Sequence, residues 1–283
     1  MKSFNSVKFG LVIMILALML VACESDSAQK YKRVEETSWA AGEAPTLIVE
    51  NFGGNITVQA GSNETFEVVA TRRAAREGDL DRIEVNIDER DGGLHIKTDK
   101  PSRTNNVSVN LEITAPAGTQ VDLNTGGGNV TVSGLAGSIK VHTGGGNIRV
   151  YDASGGVEAD TGGGNIKISG ASGEVDARTG GGNIEVQDAS GLVRLDTGGG
   201  NIDYQGRPQG SCRLNTGGGN IKIKLPKDVG VQVDLDTGSG EIDVDLAVDG
   251  RLSKREVSGT IGSGEEGEIR AHTGGGNIDL TGQ

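Results

Sequence analysis

The densest run of chemistry-bearing side chains is acidic: Asp234, Asp236, Glu241, Asp243, Asp245 and Asp249 lie in a stretch without Lys or Arg. Hard cations such as calcium take about six to eight oxygen ligands, so such a run is a candidate cation site. The glycine-rich surroundings fail the calcium-roll pattern G-G-x-G-x-D-x-U-x, because Asn follows the glycines and no Asp recurs at the required offset. The competing reading is a solvated acidic face balanced by Arg251, Lys254 and Arg255. No cofactor is therefore expected, with calcium on Asp234, Asp236, Glu241, Asp243 and Asp245 as the one alternative. Glycan cleavage needs carboxylates converging in a cleft. Only Val248–Glu268 is long enough to wall one, and aromatic residues for sugar stacking are few. The three histidines, His95, His142 and His272, are widely spaced and make no metal motif. A phosphate loop is excluded because no Gly-Lys-Ser/Thr follows the glycines. The formal charge of −12 argues against nucleic acid as a partner. The sequence is expected to be non-enzymatic, with a polysaccharide-acting β-helix enzyme as the remote alternative.

The other reactive candidate is Cys23. Lys2 and Lys8 precede twelve apolar residues, Leu11 to Ala22, which are too few for a spanning helix and fit an export signal. The run ends Leu20-Val21-Ala22-Cys23, which resembles the lipobox of bacterial lipoproteins. That resemblance implies a signal peptide over 1–22, cleavage before Cys23, and acylation (palmitate among the chains) of the new terminus. More than one acyl chain satisfies the condition for stable anchoring. The expected location is the bacterial cell envelope, lipid-anchored and extracytoplasmic, with the outer membrane or cell surface favoured. Export would leave Cys212 as the one remaining cysteine, with no intramolecular disulfide available. The polar segment 23–45 reads as the lipidated Cys and a flexible tether.

These residues are carried on a repeat. Of 283 residues 48 are Gly, far above an average near 7 %. TGGGN begins at Thr125, Thr143, Thr161, Thr179, Thr197, Thr216 and Thr273, and TGSGE begins at Thr237. The first five copies step by 18 residues, and apolar residues such as Val130, Ile139, Ile148, Val157 and Ile166 recur every nine. Each nonad is a short alternating strand and a turn. A fixed period without helical pattern means stacking. The fold class expected is all-β: a single-stranded parallel β-solenoid (β-helix/β-roll-like) with 18-residue coils of two strands each. The glycines are expected to supply positive-φ positions. Parity turns the Thr inward and puts Cys212 at an inward apolar site. Asn129, Asn147, Asn165, Asn183, Asn201, Asn220 and Asn277 are expected to stack as an amide ladder. Several outward neighbours on adjacent coils have opposite charge, Asp122 with Lys140, Lys140 with Glu158, Asp176 with Arg194, and read as ladder stabilisers.

The organisation expected is irregular opening β coils over 46–120 and the regular TGGGN solenoid over 121–283. The 36-residue step between Thr237 and Thr273 reads as one degenerate hidden coil. Thr281-Gly282-Gln283 are too few to cap the final coil, so the C-terminal coil is expected to be an exposed end capable of self-association or of contact with an envelope protein. Strands at Leu47–Val49, Ile56–Val58 and Val107–Ile113, the Pro116-Ala117-Gly118 turn and the T-G-G-G-N-I coils resemble an adhesin-candidate β-strand-repeat family, domain of unknown function 4097. The resemblance covers about residues 45–283. It implies a cell-envelope protein with an adhesive role toward an envelope or host-surface partner, and brings no catalytic residues. The alternative is a structural, self-assembling or stress-related envelope scaffold.

Overall fold

Alternating apolar residues at nonad spacing build two facing walls. The computed structural model describes residues 29–283 except Asn63, Pro101 and Arg103, together with a short strand Ile13–Ile15. Cys23 and the rest of the leader lie outside the described residues. Each wall is a 13-stranded sheet, and consecutive coils pair in parallel with identical register, as in Ile139↔Val157 and Val157↔Val175. On wall A the inward rows include Val130, Ile148, Ile166, Ile184 and Ile202; on wall B, Val121, Ile139, Val157, Val175 and Val193, all buried. Burying such a side chain is worth about 1.5–3 kcal/mol each. Stability is therefore distributed along the stack, and the interior does without a large aromatic centre. The β-solenoid expected from the repeat is the fold observed.

The two corners of each coil solve different problems. At one corner of four successive coils stand Gly134, Asp152, Gly170 and Asp188, with φ of 73°, 52°, 69° and 54°. This left-handed position accepts Gly freely and Asp at modest cost. The next residue, Leu135, Ala153, Ala171 or Ala189, folds back into the interior. The TGGGN corner does not use positive φ, contrary to the reading from sequence. There the first and third glycines pack directly on the carbonyls of the preceding coil: a Cβ on Gly164 would overlap the Gly146 carbonyl, and one on Gly162 the Gly144 carbonyl. The middle glycine, Gly163, faces open space. Close approach is the requirement, and it applies to two glycines of three.

At both ends the chain stacks out of sequence order. Tyr31–Ala40, within the stretch expected to be a flexible tether, is a strand, paired antiparallel with Thr65–Ala74 near the end of wall A, where the short strand Ile13–Ile15 pairs outside it. Its faces mix Val34 and Trp39 with Lys32, Arg33, Glu35 and Glu36, so it has no apolar stripe to betray it. The opening region is also more than widened coils. The coil Gly93–Asp99/Val107–Pro116 slides beneath the earlier coil Thr46–Asn51/Ile56–Gly61, and Glu84–Arg90 closes wall B antiparallel.

The C-terminal end requires a larger correction. Gly267–Thr273 lies between Gly210–Thr216 and Val231–Thr237, parallel to both. Ile278–Gly282 likewise lies between Ile221–Leu225 and Ile242–Val244. The last residues thus fill an interior slot, with strands hydrogen-bonded on both sides, and are not an exposed edge. The 36-residue step contains an excursion, not a hidden coil. Asp249–Leu252 and Glu256–Ile261 form an antiparallel hairpin that lies over Val231–Thr237 and closes wall B. A clasp holds the entry to the slot: Arg207 donates to both Glu266 (2.7 and 2.9 Å) and Asp228 (2.5 Å), and Glu266 also accepts from the Gly230 N–H.

Candidate functional site

The threonine and asparagine of TGGGN hold the corner on which the outer face is mounted. Thr161, buried, donates from Oγ1 to the Gly146 carbonyl at 2.8 Å and accepts from the Gly164 N–H at 3.2 Å. The same pair of bonds recurs at Thr143, Thr179, Thr197, Thr216, Thr273 and Thr237. The asparagines do form a ladder, but through the backbone. Each Asn Oδ1 accepts the backbone N–H of the next coil's Asn, from Asn55→Asn129→Asn147 up to Asn201→Asn220→Asn277. Direct amide-to-amide contact is seen from Asn147 Nδ2 to Asn129 Oδ1 at 3.1 Å. The ladder occupies an exposed corner, and its top rung is Glu241, whose N–H donates to Asn277 Oδ1.

The interior holds two polar oddities. Cys212 is fully buried between Val193 and Ile269, and burial pushes its thiol well above the ordinary range, so it is an inert apolar filler. Tyr204, also fully buried, keeps its hydroxyl without a hydrogen-bond partner among the described residues, and burial raises its pKa strongly.

The outer face of wall B carries the candidate surface. Two outward columns run along it, one three residues and one a single residue before each Thr. In the inner column, Asp160, Arg178, Asp196, Asn215 and His272 border a furrow of about 530 Å³ whose floor includes Gly180, Gly198, Gly217 and Gly274. A second hollow of about 300 Å³ continues it past Arg213, Arg270, Asp234 and Asp236. Some pairings expected from sequence form: Lys140 with Glu158 at 3.1 Å and Arg194 with Asp176 at 3.7 Å. Asp176 also takes Arg178; burial nevertheless leaves its carboxyl raised, with the two guanidinium groups acting against that shift. His272 Nδ1 lies 2.8 Å from Asp236 Oδ1, and Asn215 Nδ2 donates to Asp196 at 2.8 Å.

The acidic run is not brought together. Asp234 and Asp236 point out from wall B, whereas Asp243 belongs to the Ile242–Val244 strand of wall A. Glu241 is held below the usual carboxylate range by Lys254 at 2.9 Å, and Asp245 accepts the Gly282 N–H. Among the described residues no three His, Cys, Asp or Glu groups converge as a cation site.

One juxtaposition was not readable from the repeat. Because the C-terminal coil fills the interior slot, Arg270 stands beside Arg213, and Arg213 stands beside Arg194. In sequence order Arg213 would have met Asp234. The inserted coil puts three arginines in one column.

Among solved structures the chain is similar to a candidate adhesin from Bacteroides fragilis NCTC 9343, at 14 % identity and a TM-score of 0.47, over 88 % of this chain and 97 % of that one. It is similar to a candidate lipid-binding protein from Parabacteroides distasonis ATCC 8503, at 15 % identity and a TM-score of 0.46, over 88 % and 96 %. A candidate cell adhesion protein from Clostridium sporogenes ATCC 15579 aligns at 12 % identity and a TM-score of 0.31, over 89 % and 100 %. No significant match is found among curated proteins. The family model Toastrack DUF4097 matches residues 46–281, the whole stack from its first regular coil to its inserted last one, and the chain belongs to that family.

Proposed function

We propose that the protein is a lipid-anchored protein of the bacterial cell envelope, exported and acylated at Cys23, whose solenoid is a non-enzymatic binding module of the adhesin kind. The observation that carries this reading is the form of wall B. Its furrow is open, runs across several coils, and is edged by charged groups at repeated spacing over a floor of bare glycine backbone. Enzymes and small-ligand sites favour concave, enclosing pockets with a few convergent polar groups. A shallow furrow along a rigid tube suits an extended partner instead. The signal-like leader and the Leu20-Val21-Ala22-Cys23 sequence support export and anchoring.

Two measurements test the two halves. Cys23→Ser should abolish lipid labelling and leave the chain uncut or soluble; a cleaved variant that still partitions into detergent overturns the anchor. The purified chain should bind bacterial or host cells, or envelope extracts, saturably. Charge reversal at Asp160 and Asp196, which edge the furrow, should alter that binding. Absence of saturable binding to any of them overturns the module.

A further inference from the structure

The arginine column calls for an explanation that stability does not give. Arg194, Arg213 and Arg270 are in register on adjacent parallel strands, about 4.8 Å apart. Like charges directly opposite one another on a sheet are destabilising. The acidic neighbours Glu158 and Asp176 in the same column are, by contrast, each relieved by a cation: Lys140 on Glu158, and Arg178 and Arg194 on Asp176. The three side chains are exposed, and Arg213 has no ion-pair partner among the described residues. Arg194 reaches Asp176 only at 3.7 Å, and Arg270 is held by Glu268 on its own strand at 2.7 Å. Nearby carboxylates are committed or peripheral: Asp236 to His272, Asp196 to Asn215, Asp176 to Arg178 and Arg194. Asp234 stands next in register beyond Arg270 without pairing to it. The positive column is therefore bounded by Asp176 on one side and Asp234 on the other.

The geometry points to this column as the binding site for an acidic polysaccharide, a glycan of uronic acids lying along the tube axis. This rests on the binding-module reading and names its partner class. Three guanidinium groups spread over two strand spacings, about 10 Å, are too far apart for one carboxylate to engage. They ask for anionic groups repeating in line. A uronic-acid polymer carries a carboxylate on every ring of a stiff chain, so anionic groups recur along it without further ordering. An acidic peptide must order a flexible backbone and long side chains to present the same charges, which costs conformational entropy. Arginine forks engage carboxylates bidentately, which fixes orientation as well as charge. Among the described residues no Phe, Tyr or Trp lines the second hollow, so recognition comes from charge. The bounding aspartates confine the contact to a short stretch of polymer.

The test is binding of the purified full chain to polygalacturonate across a salt series. Dextran, polyglutamate, inorganic phosphate and phosphatidylglycerol vesicles serve as comparison probes. The expected result is saturable binding to polygalacturonate that weakens as salt screens the contact, with no comparable binding to the other probes. Arg213→Gln and Arg270→Gln should each weaken it about tenfold, the double variant should lose it, and Arg213→Lys should retain part. Melting temperature should stay level or rise in Arg213→Gln, since the variant relieves like-charge contact. Unchanged binding in the glutamine variants overturns the assignment, as does a lowered melting temperature with full binding, which would make Arg213 a structural residue. Binding to vesicles, phosphate or polyglutamate alone overturns the choice of partner. Saturable binding to cells or extracts without polygalacturonate binding overturns this inference and leaves the module reading standing. Binding to none of them overturns both.

Discussion

Side-chain volume at the TGGGN corner is limited by the coil beneath, and the limit differs between adjacent glycines. Gly164 sits over the Gly146 carbonyl, whereas Gly163 faces open space. The chain itself uses that freedom, since Ser239 occupies the middle position of the TGSGE corner. Gly163→Ala should therefore shift stability by less than about 0.5 kcal/mol. Gly164→Ala forces backbone apart and should cost at least the upper part of the ~1–3 kcal/mol seen for overpacking. Thermal melts of the two variants check this; equal shifts would mean that φ, not proximity, governs the triplet. The same logic separates Thr from Asn. Thr161 serves two buried backbone groups, whereas the Asn ladder runs along an exposed corner where water substitutes readily. The positions of both residues were legible in the repeat. Their bonds were not, because period and parity say which way a side chain points and nothing about which backbone group it meets.

Strands and coils were legible where the repeat was regular and illegible where it changed direction. The inward rows, the buried Thr and the apolar role of Cys212 all follow from nonad spacing. The Tyr31–Ala40 strand was hidden because an antiparallel strand near a stack end has no uniformly apolar face. The inserted coil was hidden for a different reason. Every coil presents the same Thr, Gly and Asn to its neighbours, so the sequence of Gly267–Gly282 matches an end position and an interior one equally well. The interior position is marked instead by the Arg207 clasp at its entry and by the Asp249–Ile261 hairpin, which covers the far side of Val231–Thr237. Interior placement has a measurable consequence. Removing residues 267–283 opens a slot and strips the hydrogen-bonding partner from Gly210–Thr216 and Val231–Thr237 together. Removing residues 230–283 instead takes the far coil and hairpin as well and leaves a single clean end. The shorter deletion should therefore be the more damaging, with lower soluble yield and fast hydrogen exchange over 231–261. A shorter deletion that behaves better than the longer one would place the C-terminal coil at the end after all.

At the scale of the whole tube, each coil touches only its neighbours, so stability approximates a sum over repeats and interfaces. Register between walls then sets which deletions the molecule can absorb. Removing residues 148–165 joins Asn147 to Ile166, the residue that already occupies the position of Ile148 one coil further on. Every downstream strand keeps its wall, and Val175–Thr179 comes to lie beside Ile139–Thr143. Charge survives the splice, because Lys140 exchanges Glu158 for Asp176. Gly170 comes to rest on Gly134, two residues that both take positive φ without strain. This variant should fold, with a melting temperature lower by about 2–8 °C, as expected for a loss of about 1–2 kcal/mol in a chain of this size. Removing nine residues, 157–165, is the sharper test. It sends Ile166–Ser169 to wall B and swaps every later strand to the opposite wall. The Thr-bearing corner then stacks on the corner of Gly134 and Asp152, where no third-glycine carbonyl waits for its hydroxyl. Half the deletion should cause the larger loss: no cooperative melt and rapid proteolysis beyond residue 156. Two cooperative melts of similar midpoint would show that the walls are interchangeable and that the corner bonds do not specify the fold.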